Sequence, residues 1–300
     1  MSSTHTHLEQ GARVSLAGLL LNVALAAVKL VAGVVGHSFA LVADAIESSL
    51  DVVGSFVVWR GLRIADRPAD GDHPYGHGRA EALAGLLVAL LILVAGAGIA
   101  AEAVRGLLSP KVSPASFTLA VILGVVVVKE GMYRYVRRAA RRTGSGAVLI
   151  DAWHHRSDAI TSAAAAVGLA IAILGGPAYA QADNWAALVA SGVIVVNAVR
   201  LIRSPLGDLM DTRPRDVVEQ VRVVAAGVHG VQAVEKVLAR KTGLAYLVDM
   251  HVEVAPEMSV DAAHGIAHAV KDAVRDAMPQ VQDVLVHIEP HEPRESASRS

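Results

Sequence analysis

Cysteine is absent from this chain of 300 residues, and charged side chains are scarce. Without cysteine there is no disulfide framework, thiolate metal site or cysteine nucleophile, so any metal ligand must be histidine, a carboxylate or a backbone oxygen. Charged residues make up 18% of the chain, against roughly 25% in soluble globular domains. The net charge of −1 excludes a broadly basic protein that binds nucleic acid.

Apolar residues make up 53% of the chain, and most of the excess lies before residue 204. A helix needs about 20 mostly apolar residues to cross the hydrocarbon core of a bilayer. The segments of this length and character are 14–35, 38–62, 81–105, 115–137, 148–174 and 184–203. The sequence therefore predicts a multi-pass membrane domain of six transmembrane α-helices.

The basic residues between these segments predict their orientation. Connections 63–80 and 134–145 are rich in arginine, whereas 36–37 and 175–183 contain no lysine or arginine. Cytoplasmic loops carry the excess of such residues, so both termini are expected in the cytoplasm and the protein in the inner (plasma) membrane. Because Arg13 is the one lysine or arginine in the first 13 residues, we expect no cleaved signal peptide.

The pattern changes near Asp208, where charged and apolar residues begin to alternate as in a soluble domain. Helical spacing at 3 and 4 residues alternates with strand-like runs, and Ser259 is a candidate N-cap. The predicted elements are helices 214–228 and 259–277 and strands 231–240, 244–254 and 283–289. Their αββαβ order predicts an α+β domain of ferredoxin-like, metallochaperone-like type. The predicted divisions are a cytoplasmic tail 1–13, a transport domain 14–207, a cytoplasmic domain 208–291 and a disordered tail 292–300.

Two predicted transmembrane helices carry ionisable residues at helical spacing. Asp44, Glu47 and Asp51 share one face of the second helix, and His154 and Asp158 lie one turn apart on the fifth. Charges at membrane depth cost several kcal/mol and usually face a cavity or a partner. Glu47, Asp51, His154 and Asp158 could together surround a divalent cation with one nitrogen and three oxygens. Without a cation or protons the carboxylates would repel one another.

Two further acids have a simpler interpretation. Asp44 and Asp151 could be hydrogen-bond partners between helices, or lie at the membrane interface, rather than bind metal. Asp44 is also the alternative ligand should Glu47 only line the entrance to the site.

Histidines and acids also cluster outside the predicted membrane segments. Asp70, His73 and His77 lie in the connection between helices two and three, where two histidines alone are also compatible with a solvated loop. The C-terminal region contributes Glu235, His251, His264, His287 and Glu289. Alternation along a strand puts the last two on one face, but sequence does not show whether the five converge.

Five motifs resemble one known family, in order and over residues 10–290. They are LVADAIESSLD, DHPYGHGRAE, DAWHHRSD, DMHVEV and VLVHIEP. The chain thus resembles the cation diffusion facilitators, in the branch of bacterial zinc and iron efflux transporters.

The resemblance implies a homodimeric, proton-coupled exporter of divalent metal. It places Glu47, Asp51, His154 and Asp158 in the transport site and assigns the other residues to two accessory sites and a hinge. The loop site comprises Asp70, His73 and His77; the cytoplasmic site, which stabilises the dimer, comprises Glu235, His251, His264, His287 and Glu289; the hinge pair is Arg79 and Asp211. Glu47 departs from the Asp or His usual in the family, and Glu235 stands where some relatives have His.

The donor set suits Zn²⁺ but also Fe²⁺, Mn²⁺, Co²⁺ or Cd²⁺, so it does not identify the ion. Together with the resemblance, it leads us to expect Zn²⁺ as substrate and structural ligand, with the other ions as alternatives. No enzyme is expected, since H-E-x-x-H, H-x-x-E-H, G-x-S-x-G and P-loop motifs are absent from the sequence. A membrane-anchored metal sensor is the remaining alternative, and it would leave the ionisable residues within the membrane without a role.

Overall fold

The computed structural model describes residues 2–109, 113–143 and 146–291, with side chains described except at 2–17, 139–140, 142–143, 146–151, 154 and 177. The predicted disordered tail 292–300 lies outside the described residues. The chain divides into two compact units, one formed by residues 1–57 and 87–201 and the other by 58–86 and 202–300.

Six long helices account for most of the chain before residue 210. They are α1 (Ser2–Val35), α2 (Phe39–Ala65), α3 (Arg79–Leu108), α4 (Phe117–Thr143), α5 (Gly146–Leu174) and α6 (Ala182–Leu209), with a 3-10 turn at Pro177–Tyr179 before α6. Among the described residues, α1, α3, α5 and α6 contain stretches long and apolar enough to cross a membrane. The helical membrane domain is confirmed, whereas membrane crossing by α2 and α4, which carry several ionisable side chains, stays a prediction.

Small side chains allow the helices of the first unit to pack closely. One buried cluster joins α1, α2, α4 and α5 through residues such as Ala32, Leu41 and Leu169. A second joins α2, α3 and α6 through Ala43, Ala103 and Ala187. Large apolar side chains point outward instead, among them Val31, Val94, Val127 and Val189. Apolar residues on the outside are expected of helices that face lipid.

The carboxylate of Asp183, in the first turn of α6, binds the beginning of α2. It accepts hydrogen bonds from Ser38 Oγ (2.8 Å) and from the backbone N–H groups of Phe39 (2.6 Å) and Ala40 (3.4 Å). The first N–H groups of a helix have no partner within the helix, and an anion there is stabilised by the helix dipole. Asp183 therefore fixes the beginning of α2 against α6.

The C-terminal domain confirms the predicted αββαβ order. It consists of α7 (Arg215–Ala226), β1 (Ala233–Thr242), β2 (Ala245–Val254), α8 (Val260–Ala277) and β3 (Val281–Pro290). The sheet order is β1-β2-β3, with β1 and β2 antiparallel and β2 and β3 parallel.

Alternation along the strands gives this sheet two different faces. Val248, Met250 and Val252 are buried in the core with residues of α7 and α8. The intervening side chains, which include His251, lie on the other, more open face. Ser259 Oγ accepts a hydrogen bond from the backbone N–H of Ala262 at 3.2 Å, which confirms the predicted N-cap of α8. The fold thus presents His251 of β2 together with His287 and Glu289 of β3 on the open face of the sheet.

Candidate metal sites

Three of the four residues predicted to form the transport site are described, and they lie in one region of the first unit. Glu47 and Asp51 are half-buried on α2. The Asp158 side chain, on α5, is 14% exposed. The Glu47 carboxylate lies near enough to Asp51 and Asp158 to interact electrostatically with both. Among the described residues, however, these three acids are not one of the groups whose ligand atoms all lie within 4.8 Å of one another. His154 lies on α5, but its side chain is outside the described part of the structure.

A buried lysine accompanies these acids. Lys129 of α4 is 2% exposed, and its Nζ lies 3.1 Å from Asp158 Oδ2. The same ammonium donates a longer hydrogen bond, 3.4 Å, to Ser48 Oγ on α2. Lys129 thereby connects α4 with both helices that carry the acids, and it supplies a positive charge to their carboxylates.

A second buried lysine neutralises Asp44. Lys29 of α1 forms an ion pair with Asp44 Oδ2 at 2.9 Å and is fully buried. It also donates to the backbone carbonyl of Asp44 at 2.8 Å and to Ser48 Oγ at 2.6 Å. Ser162 Oγ of α5 lies 2.9 and 3.0 Å from the two Asp44 carboxylate oxygens. These contacts favour Asp44 as a hydrogen-bond partner between helices rather than a metal ligand.

Neither lysine was predicted from the sequence as a partner of these acids. A signal was available, since Lys29 and Lys129 are each an isolated basic residue within an apolar stretch. A charged residue in such a place requires a partner. Which carboxylate each lysine meets depends on the rotation and depth of the neighbouring helices, and no local spacing gives these.

The three residues predicted to form the loop site lie close together in the second unit. Ligand atoms of Asp70, His73 and His77 all lie within 4.8 Å of one another. His73 Nδ1 is 3.2 Å from Asp70 Oδ1, and His77 Nε2 is 3.4 Å from Asp70 Oδ2. The backbone N–H of His73 donates to Asp70 and is the main reason that the pKa of this carboxyl is lowered.

A second hydrogen bond orients His77 within this loop site. Its Nδ1 lies 3.2 Å from the carbonyl oxygen of Pro68. Because a carbonyl oxygen only accepts, we assign the proton to Nδ1, and Nε2 is then directed at the Asp70 carboxylate. A proton or a metal ion between Nε2 and the Asp70 carboxylate would give both groups a partner. A hydrogen bond such as the one from Nδ1 to the Pro68 carbonyl commonly orients a histidine that binds metal through its other nitrogen.

The residues predicted to form the cytoplasmic site lie together only in part. Ligand atoms of Glu235, His251 and Glu289 lie within 4.8 Å of one another on the open face of the sheet. His251 Nδ1 is 2.7 Å from Glu289 Oε1, and His287 Nε2 is 3.4 Å from the same oxygen. Partial burial tends to raise the pKa of Glu289, but its hydrogen bonds, above all that with His251, and the two nearby histidines lower it overall.

His264 is not part of that three-residue cluster. It lies on α8 and lines a cleft together with His287 and Glu289. Its Nε2 is 3.1 Å from Nε2 of His268, one helical turn further on. His268 was not predicted as a site residue, although its spacing of four residues from His264 places both rings on one face of the helix.

The predicted hinge pair is formed, and a second ion pair lies in the same unit. Arg79 Nη2 donates to Asp211 Oδ1 at 2.8 Å and to Oδ2 at 3.0 Å. Lys241 Nζ donates to Asp208 Oδ2 at 3.0 Å, and this hydrogen bond raises the pKa of Lys241. The two pairs tie the start of α3 and the strand β1 to the segment at the end of α6.

Comparisons with known proteins match the chain along most of its length. Residues 15–210 match the model described as "Cation efflux transmembrane domain", and residues 213–291 match "Cation efflux protein, cytoplasmic domain".

Three curated proteins illustrate the range of relatives. Metal tolerance protein C1 of Arabidopsis thaliana is 34% identical over 94% of this chain, which spans 63% of that protein's length. The manganese efflux system protein MneP of Bacillus subtilis is 30% identical over 93% of this chain and 96% of its own. Magnetosome protein MamB of Paramagnetospirillum magneticum is 30% identical over 87% of this chain and 88% of its own.

Proposed function

Because the chain belongs to the cation efflux, or cation diffusion facilitator, family, we propose that it exports a divalent transition metal from the cytoplasm in exchange for protons. The observation that carries this proposal is the grouping of Glu47, Asp51 and Asp158 on two helices of an apolar bundle. Lys129 offsets one of their negative charges, and the charge that remains favours the binding of a further cation. His154 is proposed as the fourth ligand.

Exchange follows from the chemistry of these ligands. Carboxylates and imidazole must lose protons before they bind a metal, so metal and protons compete for the same atoms. A site open to the cytoplasm takes up the metal, and the same site open to the other side releases it as protons return. The transported ion is the substrate, and the mechanism needs no covalent step.

Two ions are the leading candidates for the substrate. Three carboxylate oxygens and one imidazole suit Zn²⁺ in a tetrahedral site, as predicted from the sequence. The same oxygen-rich set also suits the harder Mn²⁺, and a relative aligned over nearly its whole length carries the name of a manganese efflux protein. We propose Mn²⁺ and Zn²⁺ as the pair to be distinguished, with Fe²⁺, Co²⁺ and Cd²⁺ as further members of the panel.

The two sites of the second unit are proposed to bind metal without carrying it across. The open sheet face with Glu235, His251 and Glu289 would hold ions that stabilise a homodimer, and the loop site would bind a further ion. The Arg79–Asp211 pair is proposed as a hinge that maintains the geometry of the second unit during transport.

Flux measurements in sealed proteoliposomes test the proposal. With an imposed pH gradient, the wild-type protein should move at least one ion of the panel, and the ion moved fastest identifies the substrate. Asp51→Asn and Asp158→Asn should each reduce flux at least 10-fold, since either removes a charged ligand. Asp66→Asn, at an exposed carboxylate just beyond α2, is the matched control and should transport normally. Metal binding without flux in the wild type would instead favour the sensor function.

Glu47 gives a sharper test of substrate choice. Its longer side chain can offer one or two oxygens, which relaxes the demand for a compact tetrahedral site. Glu47→His would provide two nitrogens and two oxygens and should shift preference from Mn²⁺ and Fe²⁺ toward Zn²⁺. An unchanged ranking, together with lost transport in Asp44→Asn, would assign the ligand role to Asp44 instead.

A further inference from the structure

The exchange mechanism above uses the acids of the transport site and assigns no role to Lys129. We propose that the Lys129 ammonium is a fixed counter-cation, which sets the charge of the transport site so that one divalent ion neutralises it. This inference rests on the proposed function. It is argued from the position of the Lys129 side chain beside Asp158.

The proposal begins with the charges of the residues that surround the site. Lys29 and Asp44 neutralise each other in a buried ion pair, so they add no net charge. When ionised, Glu47, Asp51 and Asp158 together carry −3, and the ammonium of Lys129 leaves −2. One divalent cation then brings the cluster to zero, whereas without Lys129 the occupied site would retain −1. Uncompensated charge is costly among apolar helices, so the lysine matches the site to a single divalent ion.

The contacts of the two lysines show why this role falls to Lys129. Lys29 makes three short contacts, two with Asp44 and one with Ser48, which match the three N–H donors of an ammonium group. Lys129 makes an ion pair at 3.1 Å and a long hydrogen bond at 3.4 Å. It is therefore held less tightly. A metal arriving at Asp158 can displace the ammonium toward Ser48 while the positive charge stays nearby.

A cation kept beside the metal weakens its binding. Two positive charges a few ångströms apart at an effective dielectric constant of about 20 repel strongly enough to change affinity by 10-fold or more. An exporter must release its substrate as well as bind it, and tight binding slows release. Lys129 should therefore lower metal affinity and raise turnover. A lysine that only held α4 against α5 would have neither effect.

The test compares metal affinity and flux in one set of full-length variants. All carry His73→Ala, His77→Ala, His251→Ala and Glu289→Gln, so that the other candidate sites contribute little to calorimetric titrations with Mn²⁺ and Zn²⁺. Lys129→Gln removes the charge, and Lys129→Arg keeps it. Arg134→Gln removes an exposed positive charge from the same helix and serves as the matched control. Size-exclusion profiles and thermal unfolding establish that each variant is folded.

We expect Lys129→Gln to bind the transported ion about 10-fold or more tightly, with KM and the maximal flux both reduced. Lys129→Arg and Arg134→Gln should stay within about threefold of the parent. Unchanged or weaker binding in a folded Lys129→Gln protein would overturn the inference.

Asp158→Asn separates the two proposals: if the parent binds metal and Asp158→Asn does not, the transport site stands whatever Lys129→Gln shows. If the parent shows no saturable binding, the proposed function itself fails.

Discussion

Each of the two units of the chain contains a short ion pair, and these two pairs lie in opposite environments. In the first unit, the side chains of Lys29 and Asp44 are 0% and 5% exposed. In the second, those of Arg79 and Asp211 are 52% and 42% exposed. Both pairs have short distances between nitrogen and oxygen, so geometry alone does not distinguish them. Burial distinguishes the two pairs, because it determines the free-energy cost of leaving one charge without its partner.

The physical reason lies in the solvent. An exposed pair that is broken returns both charges to water, and such pairs contribute about 0–1 kcal/mol. A broken buried pair leaves a charge that neither water nor protein compensates, which costs about 3–5 kcal/mol. The polar network of the first unit should therefore dominate its stability. The surface clusters of the second unit are better suited to binding ions than to holding the fold together.

The largest effect is expected at Lys29. Lys29→Met keeps much of the side-chain volume but leaves the Asp44 carboxylate without its cation, so we expect about 3–5 kcal/mol of destabilisation. Thermal unfolding of the protein in detergent, with helix content followed by circular dichroism, measures it. The double variant Lys29→Met/Asp44→Asn should recover much of the loss, because no charge then remains unpaired. A single variant as stable as the wild type would contradict the proposed importance of the buried pair.

A much smaller effect is expected at the exposed pair. A double-mutant cycle of Arg79→Gln and Asp211→Asn should give a coupling energy of about 0–1 kcal/mol in unfolding. Asparagine is chosen because Asp211 has φ of 52°, and asparagine tolerates this left-handed conformation better than alanine. The same cycle applied to transport rate tests the hinge: coupling in rate but little in stability is expected. No coupling in either would remove the hinge.

The secondary structure was predictable because its signals are local. Helical spacing after Ser259 and alternation in the last strand predicted α8 and β3 to within two residues of their observed ends. Buried pairing was not predictable in this way. Asp183 was predicted to lie in a loop. In the structure its carboxylate binds the start of α2, where its partner Phe39 is 144 residues away from it in the sequence. Spacing shows that a charge needs a partner, but only the packing of the helices selects which one.

The smallest effect, and the one that extends the comparison to pH, is expected at Asp283 at the start of β3. Lys271 of α8 donates to this carboxylate, and that hydrogen bond is the main reason that the pKa of Asp283 is lowered. A carboxyl whose pKa is lowered in the folded state stabilises the fold at pH values above its pKa in the unfolded state. This stability is lost as pH falls through its pKa in the folded state. Since Asp283 is 55% exposed, the contribution should stay below about 1 kcal/mol.

Hydrogen-exchange protection factors of α8 and β3, corrected for intrinsic rates, should be slightly lower in Asp283→Asn than in wild type at pH 7. They should converge as pH falls well below 4, because the wild-type carboxyl then becomes neutral as well. A difference that persists unchanged into acid would show that asparagine perturbs the strand through packing rather than through lost charge.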